Sequence, residues 1–426
     1  MAIPQKIDKN SLGSPWIALI PFILALAFYI FWLDGPKRLY WDETIHVNGA
    51  RAILYSTPSA RDYPPLGREI LALSLTIFGD SPAGARGLSA FAGAGSIALV
   101  FLIARRLTGN VAAGWIAGLA LLLDTMFYLH ARLGMLDMFV TFFMILAFWY
   151  FLKIREKEPE RRSWLSYYVL GFILAFGFSI KAVICVLYPI FLIDLAWALF
   201  RSKTPSRKAH LFHLALAFSL PTIFVLWLSY AILGYSLIEI KEHLTWYYNF
   251  MSTFQGNPHI ISKWYQWIVV KEPIWYLKVN AGPGQMTAVV ATGNHVLWFS
   301  AEIIFVVLLF CWRKIPKEWY FLHLIIAAQF FFWGIKPTTH IYYMVPLVPF
   351  YALLVGVFYA FMMQRFPAKQ KYIKLDTAVF LVCCLLVFAY YFPLLSGRPI
   401  PKEKVQRYMF PGSQGPASDP KTSQEP

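Results

Sequence analysis

Apolar runs of about 17 to 23 residues recur along the chain, with starts near residues 16, 87, 111, 135, 163, 182, 211, 294, 318, 341 and 375. Each run is long enough to cross a bilayer as a helix, and a helix satisfies its own backbone there. The pattern predicts an all-α polytopic membrane protein with about eleven transmembrane helices. Two long connections, at about 34–85 and 234–292, break the rhythm. The second is crowded with aromatic residues, as in HLTWYYNF and SKWYQWIVVKEPIWY, and predicts interfacial helices lying along the membrane surface. No small-residue cleavage site follows the first run, Trp16 to Leu33, which is read as a retained anchor. Residues 1–395 then form one transmembrane domain, and the Pro-, Ser-, Gly- and Lys-rich residues 396–426 a mobile C-terminal tail.

Composition supports lipid as the main solvent. Of 426 residues, 58% are hydrophobic and 14% charged, and the mean hydropathy is +0.55. The net charge of +16 does not point to nucleic acid, because much of it sits in short connections between apolar runs. Those connections are ARRLTGN, KIREKEPERR, RSKTPSRK, RKIPKE and RFPAKQKYIK. All five fall on the cytoplasmic side if the N-terminus is cytoplasmic, since cationic loops resist translocation. Both long connections and the tail then lie outside. The cysteines, Cys185, Cys311, Cys383 and Cys384, lie inside apolar runs without metal-ligand spacing. His46, His130 and His295 show no such spacing either, and no metal site is expected.

Charged residues near helix ends carry the information in such a chain. On the expected outer side stand Asp42 and Glu43 in LYWDETIH, and Asp62, Tyr63 and Arg68 in DYPPLGR. Arg132 and Asp137 in ARLGMLD follow, then Lys181 in FSIKAVIC, and Lys336, His340 and Tyr343 in IKPTTHIYY. Simpler roles compete with chemistry at each position. Asp42 and Glu43 also suit the first turn of an interfacial helix, and Arg68, Lys181 and Lys336 suit snorkelling anchors. Arg132 suits an anchor or a partner for Asp137, and Asp124 and Asp194 suit structural hydrogen bonds. AGAGS, residues 92 to 96, fits close helix packing better than phosphate binding.

WDE, DYPPLGR, RLGMLDMF, FSIKAV, KEPIWY and TGNHVLWF, in this order, resemble the dolichyl-phosphate-mannose protein O-mannosyltransferases. More broadly, the chain is similar to prokaryotic glycosyltransferases of the C-type membrane fold. The chain departs from the family with Tyr63 where His is usual, Arg68 where Lys is usual, and Lys336 with IYYMVP near the end. The second long connection is too short for the β-trefoil insert of eukaryotic members, which favours a prokaryotic form. The resemblance implies inverting transfer of a sugar, mannose first, from a polyprenyl-phosphate donor to an acceptor hydroxyl, with no cofactor.

An alcohol nucleophile needs a carboxylate base; the resemblance points to Asp42, with Glu43 as a second catalytic candidate that positions the acceptor or a neighbouring cation. A departing polyprenyl phosphate needs fixed cations, for which Arg132, Lys181, Arg68 and Lys336 are candidates. Asp62, Tyr63, His340 and Tyr343 are candidates for acceptor or sugar contact. The expected partners are the lipid-linked donor, membrane lipids and an exported acceptor protein, and the expected location is a prokaryotic inner membrane with the site on its periplasmic side. A glycolipid acceptor such as lipid A is the nearest rival. A transporter or flippase is the rival of another class, and one-sided polar clustering argues against it.

Overall fold

Each expected run falls on a helix of the chain. The structure, a computed structural model, describes residues 15–55, 63–202, 204–253, 261–270, 273–336 and 339–408. In chain order the helices are α1 Leu19–Ile30, α2 Asp42–Leu54, α3 Leu66–Phe78, α4 Pro82–Thr108, α5 Val111–Leu122 and α6 Thr125–His130. Next come α7 Leu136–Arg155, α8 Trp164–Phe178, α9 Leu187–Arg201, α10 Arg207–Ala231, α11 Leu237–Thr253 and α12 Trp264–Trp267. Last are α13 His295–Phe310, α14 Tyr320–Gly334, α15 Val348–Arg365, α16 Gln370–Leu395 and α17 Lys402–Arg407. Among the described residues, 6 segments are long and apolar enough to span a bilayer: α4, α7, α10, α15, and α9 and α16 with their lead-in turns. The segments at Trp16–Ile30, Val111–Leu122, Trp164–Phe178 and His295–Phe310 are shorter but apolar.

Helix α4 is the hub, packing on α1, α3, α5, α7 and α15. Its 27 residues reach about 40 Å, enough to cross the hydrocarbon. The AGAGS run lies on this helix, and a Cβ added at Gly93 would meet the Ala131 Cβ at 2.7 Å. Close packing is therefore what the small residues supply. Large apolar side chains such as Ile193, Trp197, Ile223, Ile303 and Leu386 point outward and are exposed. In water such a surface would aggregate; on an integral membrane protein it faces lipid.

The basic connections gather at one end of the bundle. Arg106 pairs with Glu156, Arg155 with Asp194 and, at 3.9 Å, with Glu318. Thr204 donates to Glu160, and Gln364 to the Thr108 carbonyl. These contacts bring together connections separated by up to 256 positions in the chain.

The second long connection departs from the all-α expectation. Strands β1 Ile274–Gly282 and β2 Gln285–Ala291 form an antiparallel hairpin, and β3 Pro399–Pro401 pairs with β2. AGPGQ was the overlooked signal: Gly282 and Gly284 take φ of 136° and 67°, which only glycine adopts freely in a tight turn. Part of the expected tail, residues 399–407, carries secondary structure. β3 and α17 are ordered structure, and the Tyr408 hydroxyl donates to the Tyr390 carbonyl. Residues 409–426 lie outside the described residues.

Candidate active site

The site begins where α1 ends. Two arginines from distant parts of the chain hold the carbonyls of the connection between α1 and α2. Arg132, in the turn between α6 and α7, donates to the carbonyls of Tyr29, Phe31 and Trp32. Arg86, on α4, donates to those of Leu33, Pro36 and Arg38 at 3.0 to 3.1 Å. Arg86 also forks onto Glu43 at 2.8 and 2.9 Å, and the Gly134 N–H donates to the same carboxylate at 2.9 Å. A guanidinium has five N–H donors, and Arg86 uses them all. Arg86 and Glu43 are both 0% exposed.

Glu43 and Arg132 both have bonded partners in this network. Successive residues on a helix point about 100° apart, so the side chains of Asp42 and Glu43 leave α2 in different directions. Glu43 is sealed and bonded, and its charge is matched by Arg86. Arg132 is occupied by the end of α1 and lies against the Tyr128 ring at 5.1 Å. It does not pair with Asp137, which has Lys181 at 2.7 Å instead.

Asp42 has different surroundings. It is half-buried at the first turn of α2 and accepts a hydrogen bond from the Tyr342 hydroxyl at 3.3 Å. Burial raises its pKa above the ordinary carboxylate range, Lys181 pulls it down, and Asp137 raises it. The Lys181 ammonium sits 5.7, 5.8 and 5.3 Å from the rings of Tyr63, Tyr342 and Tyr343. Asp42, Tyr342, Lys181 and Asp137 thus share one aromatic-walled enclosure. His46, one turn beyond Asp42 on the same face of α2, packs edge-on to Tyr63 at 5.6 Å. Burial, then Arg68 and Lys181, push its pKa down to about 3, so it is neutral at physiological pH. Arg68 crosses α2 at Gly49, where an added Cβ would lie 2.6 Å from its Nε. Burial lowers Arg68 to about 10, which still leaves it cationic.

The remaining candidates are distributed around this enclosure. His340 is buried and stacks on Tyr342 at 5.4 Å, and Tyr343 stacks on Trp333 at 4.1 Å. Lys336 lies over the Phe332 ring at 5.8 Å. Asp62 lies outside the described residues. Asp124 is structural: it accepts from the Phe127 and Asn294 N–H groups and from Trp298 Nε1. Asn294, in turn, donates to the carbonyls of Leu123 and Cys384, so the TGNHVLWF motif ties α5, α13 and α16 together. Asp194 likewise pairs with Arg155, far along the bundle from Asp42 in the cluster of basic connections.

Sequence reasoning weighed His130 only as a metal ligand and did not single out Trp41, Tyr276, Tyr342 or Arg86. Tyr276 is the extra residue of a β-bulge between Trp275 and Leu277. Bulges re-aim side chains beside active sites. This one sends the Tyr276 hydroxyl to His130 Nε2 at 3.2 Å and lays its ring on Trp41 at 4.7 Å, 12° from parallel. Trp41 has φ 56° and ψ −149°, a conformation that costs a bulky residue on the order of 1–3 kcal/mol. Arg86 alone carried an overlooked sign, a guanidinium inside the otherwise small and apolar run SPAGARGLSA.

Residues 62–229 match the family model "Dolichyl-phosphate-mannose-protein mannosyltransferase". The match includes Arg68, Arg86, Arg132, Asp137 and Lys181, while Asp42 lies before it. A polyprenol-phosphate-mannose–protein mannosyltransferase of Corynebacterium glutamicum is 35% identical over 99 residues, 23% of this chain and 19% of that protein. The aligned stretch is therefore about a fifth of that relative's length. In fold, the chain is similar to the S. cerevisiae protein O-mannosyltransferase Pmt1-Pmt2 complex bound to the sugar donor. There the TM-score is 0.79 at 12% identity, covering 99% of this chain and 96% of that one. It is also similar to ArnT from Cupriavidus metallidurans bound to undecaprenyl phosphate, with a TM-score of 0.62 at 14% identity, covering 92% and 79%. Residues 62–229 are thus similar in sequence to the dolichyl-phosphate-mannose-protein mannosyltransferases, and the chain as a whole has the C-type membrane glycosyltransferase fold.

Proposed function

We propose that the protein is an inverting glycosyltransferase that moves a sugar, mannose first, from a polyprenyl-phosphate carrier to the hydroxyl of a Ser or Thr in an exported protein. One observation carries the reading: Asp42, Tyr342, Lys181 and Asp137 converge in a single aromatic enclosure. Asp42 is the base. The Tyr342 hydroxyl fixes one oxygen, and the burial that raises the carboxyl pKa makes it a better proton acceptor for an attacking alcohol. As the acceptor oxygen bonds to the anomeric carbon, its proton passes to Asp42 and the sugar–phosphate bond breaks on the opposite face. Lys181, held by Asp137, and Arg68 are the cations for the leaving phosphate. Asp137 keeps the Lys181 side chain in place inside an apolar surround.

Glu43, Arg86 and Arg132 act as positioning residues through the connection that ends at Asp42. Tyr63, His340 and Tyr343 line the space for sugar or acceptor, and no step calls on a cofactor or metal. The gathered basic connections support a cytoplasmic placement for that end, with the N-terminus cytoplasmic and the site on the periplasmic side of a prokaryotic inner membrane. The fold shared with ArnT favours one second reading, the same transfer onto a lipid such as lipid A.

Purified protein incubated with polyprenyl-phosphate mannose and either a Ser/Thr-containing peptide or lipid A separates the two by mass spectrometry. Peptide gaining a hexose supports the first reading, lipid A gaining one supports the second, and transfer to neither removes both.

A further inference from the structure

Trp41 carries two unfavourable features at once. Its indole N–H is buried without a hydrogen-bond partner among the described residues, and its backbone has φ 56°. A sealed donor left unsatisfied is destabilising, as is a bulky residue at positive φ. The surroundings hold the residue there nevertheless. The indole lies flat on Tyr276, whose ring the bulge has aimed and whose hydroxyl His130 anchors at 3.2 Å. Costs of this kind collect where a protein is shaped for a ligand. Asp42 is the next residue in the chain.

We propose that Trp41 Nε1–H donates a hydrogen bond to one hydroxyl of the sugar being transferred. The proposal rests on the reading of Asp42 as the base. In an inverting displacement the sugar lies between the base and the leaving phosphate, and Trp41 reaches the surroundings of the base through Tyr276, whose ring stands edge-on at 6.1 Å to Tyr342, the residue that donates to Asp42. A neutral indole donor also suits a neutral hydroxyl, whereas the phosphate's charge is matched by Lys181 and Arg68. Satisfied by substrate, the N–H becomes a specificity determinant, because a sugar lacking that hydroxyl leaves a buried donor unpaired.

The test compares wild type and W41F with polyprenyl-phosphate mannose and its 2-, 3-, 4- and 6-deoxy analogues. With wild type, one deoxy donor loses about tenfold in kcat/KM beyond the others. W41F loses about tenfold with the parent donor and shows no further loss with that same analogue. If W41F does not fold, Trp41 replaced by β-(3-benzothienyl)alanine keeps the ring shape and removes the N–H alone. A variant that is uniformly slower with every donor, or that keeps the wild-type pattern of discrimination, overturns the proposal. Wild type that transfers no sugar from any of these donors overturns the glycosyltransferase reading itself, and this inference falls with it.

Discussion

Around Glu43, hydrogen-bonding capacity is used up. Arg86 spends every donor on Glu43 and three carbonyls, Gly134 adds its N–H, and neither charged side chain touches solvent. Around Asp42 capacity is left over. Asp42 has one long hydrogen bond from Tyr342 and is half-buried, and the nearby Trp41 N–H has no partner among the described residues. One residue of helical rotation separates a closed network from an open one. Closed networks hold geometry because every member is satisfied; open ones can accept a substrate because some members are not. On the proposed reading, the contrast gives scaffold to one carboxylate and chemistry to the other.

D42N tests the contrast most severely. It should lower kcat by about 10²- to 10⁴-fold, the usual share of a general base, while leaving the thermal midpoint in detergent unchanged. A normal rate in that variant would end the assignment. E43A should behave in the opposite way. Stranding Arg86 as a buried unpaired charge costs about 3–5 kcal/mol, seen as a lower thermal midpoint, with any activity loss following the unfolded fraction. If E43A melts like wild type yet is inactive, the scaffold and the site are not separate.

K181M sharpens the comparison within the open cluster. Removing the cation should cost about 10²- to 10³-fold in kcat and also destabilise, because Asp137 loses its partner. The K181M/D137N double variant should recover the thermal midpoint without recovering the rate. Recovery of both would make Lys181 merely structural. The smallest effect belongs to Y342F. With Asp42 as the proposed base, activity should need its ionised form and fall as the pH drops through an apparent pKa lying above the ordinary carboxylate value. The Tyr342 hydrogen bond lowers that pKa, so its loss should move the acid limb of kcat/KM to higher pH, with a rate loss of only a few fold. An acid limb that stays in place would mean that Tyr342 does not touch the base during turnover.

Much of this was legible in the order of residues. Apolar runs placed the helices because length and hydrophobicity are local properties, and WDE placed the proposed base beyond α1. Local reading also assigned close packing to AGAGS and a structural bond to Asp124, in agreement with the contacts of Gly93 and Trp298. It failed where partners are remote. Lys181 meets Asp137 across 44 positions, Arg86 meets Glu43 across 43, and Tyr342 meets Asp42 across 300. Whether Arg132 served phosphate or backbone depended on where the end of α1 lay, which no neighbouring residue specifies. The bulge at Tyr276 was hidden for a related reason: an extra residue in a strand is defined only against the strand it pairs with.

The sequence by itself determined that the chain lives in a membrane, roughly where its helices run, which end carries the basic connections, and which family it resembles. Each of these follows from composition and spacing within a few turns of the chain. Only the tertiary structure decided which of two adjacent carboxylates stays open, because that depends on the direction in which α2 leaves Trp41 and on which arginine is already waiting. Burial and partner choice are collective properties of the packed bundle, and they divide residues that look alike on paper into those that are sealed and fully bonded and those that keep bonding capacity to spare.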